Sequence, residues 1–165
     1  AKALNEVVPA AVARLPVDGM PEVRHQTGRD RVEATREAYR IQGITAEVSE
    51  FLEDMAEAYG WADLIVCRAG ALTVSELMAA GLPAILVPFP FAVDDHQTVN
   101  ARFLTEAGAG QLMPQSDMTA QTLSELLDSL LSDRARLHAM AQSGYRLAKR
   151  DATQRVADVC EELAA

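Results

Sequence analysis

Apolar residues recur at helical spacing at Leu4, Val7, Val8, Ala11 and Val12, and Pro16 with Asp18-Gly19 stops the pattern, which predicts a helix over about residues 2–14. Glu22 to Gln26 reads as a short strand, Arg29 to Ile41 as a polar helix closed by Gly43, and Thr45 to Val48 as another short strand. Asp63 to Cys67 is a β-rich apolar run, followed by a glycine turn at Gly70 and a helix from about Val74 to Ala80 that Gly81-Leu82-Pro83 ends. Ala84 to Val87 is a second buried run, Gln97 to Ala107 a helix stopped by Gly108, and Gly110 to Met113 a last strand. Runs apolar on both faces and separated by helices are what a parallel sheet covered on both sides requires. The remainder carries three helical stripes: Leu123, Leu126, Leu127, Leu130 and Leu131; Leu137, Met140, Ala141 and Leu147; Val156, Val159 and Leu163. The pattern predicts an α/β fold, a Rossmann-like doubly wound parallel sheet with C-terminal helices, and shows neither an internal repeat nor a long linker.

Composition narrows this picture. A length of 165 residues, 49% of them hydrophobic, suits one compact domain and excludes a disordered tail or a fibrous repeat. With 24 acidic against 15 basic side chains the net charge is -9, so nothing draws the chain generally toward nucleic-acid phosphates, and a phosphate ligand needs a local site. Leu82 to Val93, the longest nearly unbroken apolar stretch, contains three prolines and falls short of the ~20 residues of a membrane span. Lys2, Glu6 and Arg14 interrupt any signal-peptide core at the start. Cys67 and Cys160, a lone distant pair, form no disulfide framework and fit a reduced compartment.

In open parallel sheets ligands sit beyond the carboxyl ends of the strands, which directs attention to the segments after each apolar run. Arg68-Ala69-Gly70-Ala71-Leu72-Thr73 leads from a strand into a helix, where small residues and free backbone N–H groups suit a phosphate, and an ordinary strand-to-helix turn fits the spacing too. Thr73-Val74-Ser75-Glu76 fits a capping box, while Glu76 facing the crevice can accept the two hydroxyls of a ribose diol. Phe51 and Met55, four apart at a helix start, suit core packing on one face; alternatively they wall a flat base whose edge the Leu52 backbone reads. Pro88 to Gln97 is a loop ending in a polar cluster, in which Asp94 or Asp95 caps the next helix and His96, Gln97 or Asn100 can hydrogen-bond a sugar. Asp95-His96 is a poor metal motif because adjacent side chains seldom converge on one ion. His25, at a strand end, reads as a hydrogen-bonded structural histidine and His138 as solvated. Neither cysteine has a histidine in local reach for thiol chemistry.

Taken together these segments resemble the MurG family of bacterial glycosyltransferases, which add N-acetylglucosamine to lipid I. The resemblance runs along essentially the whole chain and is densest from Ala62-Asp63-Leu64-Ile65-Val66-Cys67-Arg68-Ala69-Gly70-Ala71-Leu72-Thr73-Val74-Ser75-Glu76-Leu77 through Ala79-Ala80-Gly81-Leu82-Pro83-Ala84. His25-Gln26-Thr27-Gly28, Phe51 to Met55, Pro88-Phe89-Pro90 with Asp94 to Ala101, and Asp151-Ala152-Thr153 with Arg155-Val156-Ala157 support it.

The resemblance implies the C-terminal, UDP-N-acetylglucosamine-binding half of a GT-B enzyme, spanning residues 1–165, with inverting transfer that forms lipid II for peptidoglycan and needs no cofactor or catalytic metal. It implies that Leu52, flanked by Phe51 and Met55, meets uracil, that Gly70, Ala71, Leu72 and Thr73 meet the diphosphate with Arg68 adding charge, and that Glu76 meets the ribose. The family places a glutamine pair for the sugar hydroxyls where this chain has His96 and Gln97. Ala1 matches the last alanine of a Gly-Gly-Ser-x-Gly-Ala loop, so the first strand, that loop and the N-terminal acceptor domain are expected to lie outside the chain. With them go lipid I binding, membrane contact and any catalytic base; the complete enzyme is expected on the cytoplasmic face of the bacterial inner membrane. Two other readings share the donor: a subunit of a split N-acetylglucosaminyltransferase that needs a membrane partner, and half of a UDP-N-acetylglucosamine 2-epimerase.

Overall fold

A computed structural model describes residues 1–92 and 95–164. The chain alternates helix and strand: α1 (Lys2–Val12), β1 (Arg24–Gln26), α2 (Val32–Ile41), β2 (Glu47–Ser49), α3 (Met55–Trp61), β3 (Ile65–Cys67), α4 (Ala71–Ala80), β4 (Ala84–Leu86), α5 (His96–Glu106) and β5 (Gly110–Leu112). Three helices follow, α6 (Ala120–Leu131), α7 (Arg134–Leu147) and α8 (Ala152–Ala164). All pairings are parallel: Arg24 lies opposite Glu47, Ile65 opposite Ala84, and Ala84 opposite Gly110.

The winding on both faces follows from β4, whose residues are all buried. Successive strand side chains point to opposite faces, and Ala84 and Leu86 join the cluster of Val74, Leu77, Ala101 and Leu104 from α4 and α5. Ile85 and Val87 join the other cluster, built from Leu4 and Val12 of α1, Leu123, Leu127 and Leu130 of α6, and Leu137 and Met140 of α7. Burying side chains such as Ile85 and Leu86 stabilises the fold by roughly 1.5–3 kcal/mol each.

The sheet is not one continuous ladder among the described residues. β1 and β2 form one block, and β3, β4 and β5 another. Helices and side chains join the blocks instead. Arg24 on β1 reaches Glu47 of β2 at 3.1 Å and Glu57 of α3 at 2.8 Å, and its guanidinium lies 4.4 Å from the Trp61 ring centre. From α1, Asn5 Nδ2 donates to the Thr27 carbonyl at 3.1 Å, which leaves Asn5 Oδ1 to accept from His25 Nε2–H at 3.0 Å. The Tyr39 hydroxyl of α2 then donates to His25 Nδ1 at 2.9 Å. The hydrogen-bonded structural histidine expected at position 25 is thus observed, in one tautomer.

Several element starts differ from expectation. α2 begins at Val32 rather than Arg29, because Asp30 adopts a left-handed backbone (φ 59°) and gives its N–H to Glu50. α3 begins at Met55, where the Asp54 carboxylate accepts the Glu57 N–H at 2.8 Å, so Phe51 lies before the helix and does not share a helical face with Met55. α4 begins at Ala71, three residues before the predicted start, with extended Gly70 at its N-cap. Thr73 therefore stands inside the first turn, and the capping box of Thr73 with Glu76 does not form. Gly81 ends α4 with φ +65°, as the Gly81-Leu82-Pro83 stop predicts, and α7 crosses so close that an added Cβ would sit 3.3 Å from the Ala141 carbonyl.

The third stripe folds as a helix, but none of the described residues of α8 is buried, and Val156 and Leu163 are 65% and 84% exposed. Among the described residues no helix is long and apolar enough to cross a membrane.

Candidate functional site

The carboxyl ends of β3 and β4 carry the arrangement with most chemical capacity. β3 hands over to α4 through Arg68-Ala69-Gly70, and among the described residues no side chain caps the new helix. An uncapped first turn leaves its amides to an outside acceptor, and the aligned peptide dipoles make that end positive. This combination favours an anion.

Arg68 is committed to the framework around this turn. One of its terminal nitrogens donates to the carbonyls of Val87 and Pro88, both at 3.0 Å, the other to Gln115 Oε1 at 2.5 Å, and the guanidinium lies 5.5 Å from the Phe89 ring centre. Desolvation lowers its pKa from the ordinary guanidinium value, yet it stays a cation. Arg68, Phe89, Gln97 and Gln115 line a cleft of about 550 Å³ together with the start of α1, Ala1 to Ala3 with Glu6.

The polar cluster of the β4–α5 loop also holds backbone. Gln97 Oε1 accepts the Phe89 N–H and Asn100 Nδ2 donates to the Ala69 carbonyl, each at 3.0 Å, so α5 ties both loops together. His96 is the first, exposed residue of α5. Asp95 has a left-handed backbone (φ 51°) and accepts from the Thr98 hydroxyl at 2.6 Å rather than from a backbone N–H. Asp94, the other capping candidate, lies outside the described residues.

Glu76 stands exposed on α4 two turns from Gly70, and its Oε2 accepts from the Tyr59 hydroxyl at 2.8 Å. Burial and the adjacent carboxylate raise the Tyr59 phenol well above its usual range, so it remains a donor. Phe51 is 55% exposed, while Leu52 and Met55 are half-buried beside the start of α3. The structure thus groups Arg68 and Gln97 in one cleft, sets Gly70 to Thr73 and Glu76 along one helix, and leaves Phe51, Leu52 and Met55 on the α3 side. Tyr59 and Gln115 were not foreseen, since their partners lie 17 and 47 residues away and leave no local pattern.

Other reactive groups are quiet. Burial, with a smaller push from the amino terminus, holds His25 down at about 4 and thus neutral at pH 7. Burial pushes the Cys67 thiol up to about 12, which leaves it inert. Among the described residues no three His, Cys, Asp or Glu side chains gather as a metal site. A second cleft, of about 340 Å³, lies at the opposite ends of the strands near Asp63 and Pro83, away from the carboxyl edge.

The model of the glycosyltransferase family 28 C-terminal domain matches residues 1–156. Two relatives named UDP-N-acetylglucosamine--N-acetylmuramyl-(pentapeptide) pyrophosphoryl-undecaprenol N-acetylglucosamine transferase are similar along nearly the whole chain. That of Thiobacillus denitrificans is 56% identical over 99% of this chain, and that of Chromohalobacter salexigens 57% identical over 98%. The chain spans 44% of the length of either relative. The crystal structure of Acinetobacter baumannii MurG superposes with a TM-score of 0.90 at 46% identity, covering 98% of this chain and 46% of that one. WaaG, a glycosyltransferase involved in lipopolysaccharide biosynthesis, shares the fold at a TM-score of 0.66 and 19% identity, over 92% of this chain and 42% of its own. The expected fold, the Rossmann-like α/β half of a GT-B glycosyltransferase, is borne out, and the chain belongs to the glycosyltransferase family 28 C-terminal domain family.

Proposed function

We propose that this chain is the donor-binding domain of an inverting hexosyltransferase that moves N-acetylglucosamine from UDP-N-acetylglucosamine to the C4 hydroxyl of the muramyl sugar of lipid I, forming lipid II. The observation that carries the reading is the uncapped first turn of α4 behind Gly70, at the carboxyl end of β3, in a chain 56–57% identical to transferases of that name. Gly70, Ala71, Leu72 and Thr73 present their amides to the diphosphate, Glu76 accepts the ribose hydroxyls, and Leu52 with Phe51 and Met55 receives uracil. His96 and Gln97 face the sugar. Arg68 contributes charge while bracing the two loops, since its donors are already engaged by Val87, Pro88 and Gln115.

As the C4 hydroxyl attacks C1 of the donor sugar, negative charge grows on the departing UDP. A helix N-terminus aimed at that diphosphate stabilises the charge without reorganising at the moment of reaction. We assign no catalytic base to this chain. Lipid I recognition and contact with the cytoplasmic face of the inner membrane belong, in this reading, to the part of the relatives that this chain does not match.

Calorimetric titration with UDP-N-acetylglucosamine, UDP-glucose and UDP, after a cooperative thermal transition is verified, tests the assignment. Binding should require the uridine diphosphate, favour the N-acetylated sugar, and weaken roughly tenfold or more in Glu76→Ala. A cooperatively folding chain that gives no uridine-dependent heat would overturn it.

A further inference from the structure

Tyr59 and Glu76 link α3 to the length of α4 assigned to the nucleotide, through the 2.8 Å bond from the tyrosine hydroxyl to Oε2. We propose that Tyr59 is a positioning residue for nucleotide recognition, its phenol holding the Glu76 carboxylate in the orientation that accepts the two ribose hydroxyls of a uridine diphosphate. This rests on the reading of Glu76 as the ribose ligand.

The chemistry of acceptors supports the assignment. An ionised carboxylate offers about four lone-pair sites on its two oxygens. Tyr59 takes one on Oε2, which leaves Oε1 open and one further site on Oε2, enough for two vicinal hydroxyls. An exposed glutamate otherwise samples many rotamers, and ordering it on binding subtracts from affinity. A charge-assisted bond made before the ligand arrives removes part of that cost. The bond also survives across physiological pH, because both burial and the carboxylate keep the phenol protonated.

Placement adds a second argument. Tyr59 sits four residues after Met55 on α3, so the two share a helical face. Met55 opens α3 directly behind Leu52, the segment assigned to the base. The Tyr59–Glu76 bond therefore fixes the distance between the helix that meets uracil and the helix that meets ribose.

A plain tie between α3 and α4 would use the same bond, and the ligand separates the two roles. Tyr59→Phe removes only the hydroxyl. UDP and 2′,3′-dideoxyuridine diphosphate are titrated into the wild-type chain, Tyr59→Phe, Glu76→Ala and the double variant, with thermal unfolding recorded for each. The wild type should prefer UDP. Tyr59→Phe should weaken UDP about five- to tenfold while leaving the dideoxy ligand within about twofold, and the double variant should bind no more weakly than Glu76→Ala alone. Equal loss for both ligands in Tyr59→Phe, or an unchanged preference, overturns the positioning role and leaves Glu76 as the ribose ligand. A preference that survives Glu76→Ala overturns the ribose assignment itself, and the role of Tyr59 with it.

Discussion

His25 is held between Asn5 and Tyr39 with both ring nitrogens hydrogen-bonded, and its burial disfavours a second proton. Its pKa of about 4 in the folded chain, against 6.5 in an exposed histidine, means that the unfolded state binds more protons between those values. Stability is therefore full above about pH 6.5 and falls as the pH drops through that window, by roughly 3 kcal/mol at pH 4. Urea unfolding at pH 7 and at pH 4 checks this: the wild type should lose about 2–3 kcal/mol more than His25→Gln, and equal losses would refute it. The sequence alone shows a histidine at a strand end with a structural role. Its partners lie 20 and 14 residues away on two helices, and only tertiary closure brings them together. The same holds for Tyr59 with Glu76 and for Arg68 with Gln115.

Elements were more legible than contacts, because hydrophobic period and glycine stops are local signals. Gly81 and Gly108 both take positive φ, and both end a helix where the sequence says they should. Thr73 and Glu76 mimic a capping box and so place the predicted start of α4 too late, while the true N-cap, Gly70, has no side chain to announce itself. That start offers a separable test. Proline is compatible with the first helical position and needs an extended residue before it, and Gly70 has φ -65° and ψ 147°. Ala71→Pro should leave the unfolding midpoint unchanged or slightly raised while removing one amide from the proposed diphosphate site. Affinity for UDP should fall about tenfold and affinity for uridine remain as it was. A loss shared equally by uridine would show that the first turn of α4 does not face the phosphates.

Across the whole molecule the sequence shows layers but not continuity. Alternating apolar runs and helices require a parallel sheet wound on both sides, and β4 with its two cores meets that requirement. That the ladder divides between β2 and β3 is invisible in the pattern, because each strand reads the same whether or not its neighbour is bonded. α8 shows the converse: a clear apolar stripe, yet no buried residue. Removing residues 152–165 should accordingly shift the thermal midpoint by no more than about 2 °C, and a drop of more than about 5 °C would mean that the stripe does pack.

Each described strand pairs with the strand next to it in sequence, across closures such as Ile65 to Ala84, whereas α1 packs on α6 more than 100 residues away. Short closures are fast and long ones slow. The two strand blocks can therefore assemble early and separately, with Asn5 reaching His25 across a closure of only 20 residues, and the packing of α1 on α6 comes late. An interaction made that late is absent while the chain is crossing its barrier, so changes where α1 meets α6 act mainly on how fast the folded chain comes apart.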